Sequence, residues 1–172
     1  MADLAGTLAR RRVPLGFLTA AVTLVFAAPT PRSWAAGLAV AVAGELVRVW
    51  AAGHLEKSRE VTRSGPYRFT RHPLYAGSGV IALGIVIASR SWIVAGLAAV
   101  YMVATTAAAI LTEEAFLRRT FGRAYDEYRA SRGEAMPRPF SFGRVMRNRE
   151  YRSVAGLTVG FALLALKMYV PI

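Results

Sequence analysis

Three groups of residues in this chain carry types and spacings that could do chemistry. The first is the corner Arg71-His72-Pro73. Proline suits the first position of a helix, where the missing N–H costs nothing. Arg71 and His72 are therefore expected beside the positive end of a helix, where a guanidinium, an imidazole and free backbone N–H groups could take a carboxylate or a phosphate. An interfacial anchor of Arg and aromatic residues at a membrane boundary uses the same residue types, so both readings stand. The second group is Glu113-Glu114, two adjacent acids at the end of a long apolar run. Like charges repel, and the carbonyl end of a helix disfavours acids. A nearby cation would relieve that cost, either a sulfonium or amine ligand or a structural arginine, for which Arg118 stands four residues after Glu114. The third is Gly77-Ser78-Gly79, small enough to admit close helix packing or the approach of a flat ligand.

These groups sit among apolar runs that must position them. Of the 172 residues, 55 % are hydrophobic, more than soluble domains carry, and the formal net charge is +12. Five segments have the apolar content of membrane spans: 13–28, 33–52, 73–88, 91–111 and 153–170, the first and third shorter than the roughly 20 residues a span needs. The first is expected to be a retained helix and not a cleaved leader. Pro29-Thr30-Pro31 and Ser89-Arg90-Ser91 close two helical hairpins. Only Arg32, Arg48, Arg90 and Lys167, of 22 basic residues, fall outside the N-terminus and the two long loops 54–72 and 112–152. By the positive-inside rule the N-terminus and both loops are cytoplasmic. The basic charge then suits anionic lipid headgroups better than nucleic acid.

Within the second loop, Phe116, Leu117, Phe121, Ala124, Tyr125 and Tyr128 recur at spacings of three and four, with Arg118, Arg119, Arg123, Asp126, Glu127 and Arg129 opposite. This pattern predicts one amphipathic helix at the membrane face. Glu45 and Arg48, three residues apart inside the second segment, can pair and hide their charge. The chain has no cysteine, and His54 and His72 are too few for a histidine metal cage. The expected fold is all-α: a single polytopic membrane domain over 1–172, with about five transmembrane helices and a cytoplasmic amphipathic helix, in a bacterial inner membrane or its equivalent.

Taken in order, Gly65-Pro66-Tyr67-Arg68, Arg71-His72-Pro73-Leu74-Tyr75-Ala76-Gly77, Glu113-Glu114, Leu117, Phe121-Gly122, Tyr125, Tyr128 and Met136-Pro137-Arg138 resemble the isoprenylcysteine carboxyl methyltransferases and their relatives, the phospholipid methyltransferases. The resemblance covers about residues 64–140. It implies an enzyme that uses S-adenosylmethionine, bound at the cytoplasmic face by His72, Tyr75, Gly77, Gly79, Glu113 and Glu114, with Glu114, Arg71 and Tyr75 at the reaction. It implies a lipophilic acceptor, most like a prenylcysteine carboxylate; a phospholipid amine is the alternative. The stretch Ser131-Arg132-Gly133-Glu134-Ala135, longer than in the family, and the basic run 140–151 bear on the acceptor side. No Gly-x-Gly-x-x-Gly loop follows a strand pattern, which argues against a soluble Rossmann-type methyltransferase. Outside catalysis, a membrane scaffold whose basic loops bind anionic lipid would need the acidic pair neutralised by arginine alone.

Overall fold

The computed structural model describes residues 2–130 and 137–170, and every regular element among them is helical. The order is α1 (Ala2–Phe26), α2 (Pro31–His54), a 3-10 turn (Gly65–Arg68), α3 (Pro73–Ser89), α4 (Trp92–Phe121), α5 (Arg123–Arg129), α6 (Phe142–Arg147) and α7 (Tyr151–Lys167). The five apolar segments fall in α1, α2, α3, α4 and α7. Two of these helices, α2 and α4, are long and apolar enough to cross a membrane; Val13–Phe26 and Pro73–Ser89 are apolar but shorter. Large apolar side chains point outward along them, Trp92 at 92 % exposure and Val103 at 71 % among them. A soluble bundle would turn such residues inward, so these faces fit a lipid environment.

The helix ends follow local rules. Thr30 and Ser33 form a reciprocal capping box at the start of α2, with Pro31 in its first turn. The Ser33 hydroxyl also donates to the Ala88 carbonyl, and Ala28 N–H donates to Ser89 O, which ties the first turn of the chain to the end of α3. The Ser91 hydroxyl accepts from Val94 N–H and starts α4.

The tightest contact is between α2 and α3, which run antiparallel. A Cβ placed on Gly37 would lie 2.4 Å from Gly84 O, and one on Gly84 would lie 2.5 Å from Gly37 O. Further along, a Cβ on Gly44 would lie 2.7 Å from Gly77 O, and the reverse distance is the same. Glycines at these four places let backbone meet backbone, with Ala41 and Ala88 fully buried between them. α7 lies antiparallel to α2, and its Phe161 and Leu164 share one buried cluster with Ala41 and Ala88. Trp34 Nε1 donates to Phe161 O at 2.9 Å, with the two rings edge to face. At the far end of α7, Lys167 Nζ donates to the Leu24 and Val25 carbonyls that end α1.

The single amphipathic helix expected after the fourth span is two pieces. α4 continues to Phe121, and the chain breaks at Gly122, whose φ of +47° is open to glycine and strained for other residues. Residues 131–136, with the longer step noted above and Met136, lie outside the described residues. The basic run after them is bound to the end of α2. Arg144 Nε donates to Gly53 O at 2.6 Å, and Asn148 Nδ2 donates to Ala52 O and Leu55 O. Glu56 receives Arg147 at 3.0 Å, and Glu60 takes Arg138 through both of its oxygens. Cations and an amide thus meet the carbonyl end of α2, where the helix dipole favours them.

Glycine contacts at the α2–α3 seam make a direct prediction. Gly44→Ala should destabilise the protein by ~1–3 kcal/mol, since two backbones must part. Gly79→Ala, with nothing within 4 Å of the new methyl, should be neutral or stabilise by up to ~1 kcal/mol. Thermal unfolding of the detergent-solubilised variants checks both, and equal melting temperatures would contradict the seam.

Candidate functional site

The polar end of the bundle gathers the Arg-His corner and the acidic pair into one cluster. His72 occupies the N-cap position of α3 without a side-chain cap, and Pro73 stands in the first turn as its residue type dictates. α3 presents Arg71, His72 and Tyr75 toward α4. There, Glu114 Oε1 receives Arg71 Nη1 at 3.3 Å and lies 3.2 Å from His72 Nε2. Tyr75 donates its hydroxyl to Glu113 Oε2 at 2.9 Å. The His72 and Tyr75 rings lie 5.8 Å apart, tilted to one another. Two acids side by side are thereby served by one cation, one imidazole and one phenol from the facing helix.

Glu113 and Glu114 lie two turns before the end of α4 at Phe121, so the carbonyl dipole at that end is not their main liability. Arg118, the candidate partner from spacing, pairs instead with Asp126 at 3.2 Å, because Gly122 folds α5 back beside the last turn of α4. Relief for Glu114 comes from Arg71 and His72, far away in sequence.

A shell of tyrosines backs this cluster. Tyr125 on α5 is 1 % exposed, and burial, then the neighbouring Glu114 carboxylate, push its hydroxyl pKa up. Tyr128 donates to Tyr67 O at 2.8 Å and has Arg63 over its ring at 5.9 Å. Arg63 also donates to Ala124 O, so the 3-10 turn and α5 hold each other. Tyr67 is buried, and burial, followed by the Glu113 charge, drives its hydroxyl pKa far up. With their hydroxyl pKa values raised, these phenols stay neutral beside the carboxylates.

Of the seven residues expected at the site, Arg71, His72, Tyr75, Glu113 and Glu114 come together. Gly77 and Gly79 do not join them. Gly77 is buried in the α2–α3 seam against Gly44 and the Arg48 side chain, and Gly79 is exposed with open space around it. Tyr67, Tyr125 and Tyr128 were not among the expected site residues. Tyr67 stands in the Gly65-Pro66-Tyr67-Arg68 stretch, and Tyr125 and Tyr128 in the F-G-x-x-Y-x-x-Y spacing, which reads equally well as a lipid-facing aromatic stripe.

Glu45 and Arg48 meet only loosely, at 3.9 Å; the closer partner of Arg48 is Glu150, at 2.6 Å. Among the described residues no group of three or more His, Cys, Asp or Glu could hold a metal ion. The donor set suits an organic zwitterion better. Carboxylates can hold hydroxyls, an amino group or a sulfonium, while a guanidinium and an imidazole can hold a carboxylate.

A family model described as phospholipid methyltransferase matches residues 33–124, just over half of the chain. It begins in the first turn of α2 and ends in α5, so it spans both halves of the cluster. No curated protein and no solved structure matches the chain.

The Tyr128 hydroxyl supplies a pH test of the shell. Burial raises its pKa from 10.0 to about 12. A neutral phenol that ionises later in the folded state stabilises it fully below pH 10 and loses that contribution between 10 and about 12. Tyr128→Phe should lose ~1 kcal/mol at neutral pH, for its hydrogen bond to Tyr67 O, and then decline less steeply than the parent across that window. Melting curves from pH 8 upward check this; parallel declines would count against a buried Tyr128 hydroxyl.

Proposed function

The chain belongs to the phospholipid methyltransferase family, and on that premise we propose that it transfers a methyl group from S-adenosylmethionine to a lipophilic acceptor at the membrane face. The observation that carries this reading is the convergence of Arg71, His72 and Tyr75 of α3 on Glu113 and Glu114 of α4. A scaffold would need only arginine against the acids, whereas here an imidazole and phenols share them.

When bound, the cofactor supplies a methyl group already activated by its sulfonium. The chain then has to bind, orient and exclude water. Arg71 and His72 hold the carboxylate end of the cofactor. Glu113 and Glu114 hold its amino or ribose groups and offset its positive charge. Tyr75, fixed by its bond to Glu113, flanks the transfer path. Gly77 and Gly79 are the weakest of the proposed contacts, one packed in a helix seam and one pointing away into open space.

The two acceptor chemistries differ in one requirement. A prenylcysteine carboxylate, the acceptor of the resembled carboxyl methyltransferases, is nucleophilic as it stands and needs no base. A phospholipid amine, to which the matched family's description points, must first lose a proton, and the carboxylates beside Tyr75 are the available acceptors of it. The carboxylate remains the first reading. The amine reading is favoured by the matched family.

The topology proposed with this function has five spans, with the N-terminus and the loops 54–72 and 112–152 on the cytoplasmic side. It rests on the five apolar segments and on the concentration of basic residues in those loops, which would meet anionic lipid. The whole chain then works as one integral membrane domain.

Calorimetry with S-adenosylhomocysteine on the solubilised protein tests the cofactor assignment. Glu114→Ala should weaken binding by at least about tenfold, the scale of a lost charged hydrogen bond. Glu127→Ala, which removes only an exposed pair with Arg123, should leave binding unchanged. Equal affinities in the two variants would show that the site is elsewhere. Radiolabel transfer to prenylcysteine analogues and to phosphatidylethanolamine vesicles separates the two acceptors.

A further inference from the structure

The polar cluster around Arg48 has no part in the site described above, and it links that site to a segment outside the family match. Arg48 projects from α2 between α3 and α7. Its Nη2 lies 2.6 Å from Glu150 Oε1, at the start of α7. Its Nη1 donates to Ser78 Oγ at 2.5 Å and to Leu74 O at 3.4 Å, both on the first turns of α3. Leu74 and Ser78 bracket Tyr75. Glu45 completes the cluster and receives the Ser153 hydroxyl at 2.7 Å. Glu45 and Glu150 are only 6 % and 5 % exposed.

Buried ion pairs of this kind are poor sources of stability, because desolvation offsets most of their attraction. α7 also has other means of docking: Trp34 on Phe161, and Lys167 on the end of α1. What the guanidinium does that apolar packing would not is hold three helices in one register, with its α3 end at the turn that carries Tyr75 and His72. The segment before Glu150 is fixed for the same purpose. Arg138, Arg144, Arg147 and Asn148 bind it to Glu60, Glu56 and the last carbonyls of α2, which delivers Glu150 to Arg48. Tyr67 lies within reach of both clusters, under the negative charge of Glu113 and of Glu150.

We infer that Glu150 is a positioning residue for the cofactor corner, acting through Arg48 on the first turns of α3, so that α6 and α7 are working parts of the site. This rests on the reading of the Glu113–Glu114 corner as the place where the methyl donor binds. Neither Glu150 nor Arg48 touches the ligand in this scheme. They set where Tyr75 and His72 stand.

The test is a cycle of two mild variants in the full chain, read as affinity for S-adenosylhomocysteine and as melting temperature. Glu150→Gln and Ser78→Ala should each weaken binding roughly tenfold, within the range that small misplacements cost. Because both act along one line, the double variant should bind no more weakly than the weaker single variant. Lys167→Ala, which frees the far end of α7, should lower the melting temperature and leave affinity unchanged. The inference is overturned if Glu150→Gln binds like the parent, if the two losses multiply in the double variant, or if Lys167→Ala weakens binding as much. If Glu150→Gln does not fold, Ser78→Ala alone decides, and an unchanged affinity overturns the inference. Glu114→Ala measured alongside separates the two ideas. Unchanged binding there removes the site itself, whereas a loss there with none at Glu150 removes only the positioning role.

Discussion

Backbone contact between α2 and α3 is the constraint on which the rest of the molecule depends. Gly37 faces Gly84, and Gly44 faces Gly77, at separations that no side chain could occupy. Within lipid, apolar side chains give helices little reason to choose one another over the acyl chains, so close van der Waals fit has to supply that preference. Once α2 and α3 are joined in this way, the position of His72 at the head of α3 is set relative to the whole of α2. The Arg-His corner is therefore presented to α4 from a rigid pair and not from a single mobile helix.

α4 completes the arrangement from the opposite side. Its acids meet the corner, and its break at Gly122 turns α5 back so that Tyr125 closes over Glu114 and Tyr128 reaches the 3-10 turn. The two acids thus meet phenols, the His72 imidazole and a single guanidinium, so that one fixed cation faces two carboxylates. That balance suits a ligand carrying positive charge. Arg68 and Phe69, beside this cluster, are exposed at the surface of the polar end.

Features governed by near neighbours were legible in the chain. Pro73 at the head of α3, the turns at 29–31 and 89–91 and the apolar helices all follow from rules acting over three or four residues. The acidic pair was legible for a different reason: two adjacent carboxylates at the end of a long apolar run are costly enough to demand a partner. Which partner was not legible. Arg118 satisfied the spacing and lost to Arg71 and His72, because folding at Gly122 gave it Asp126 instead. Gly77 admits packing or a ligand contact by its residue type alone, and its packing partner Gly44 is visible only once the seam is formed. Glu150 was invisible for the same reason. Nothing local marks an acid in a basic run as the mate of an arginine in α2.

The loose contact between Glu45 and Arg48 has a consequence for how the chain is made. Synthesis proceeds from the N-terminus, so α2 leaves the ribosome long before α7 exists; Ser153 lies 108 positions beyond Glu45. Throughout that interval Glu150 and Ser153 are absent, and the nascent helix would carry a bare cation and a bare anion into the bilayer. Placed three residues apart, the two cancel in net charge and can shelter one another during insertion. In the finished molecule the pair stands at 3.9 Å, and Glu150 of the last helix takes the closer place at 2.6 Å.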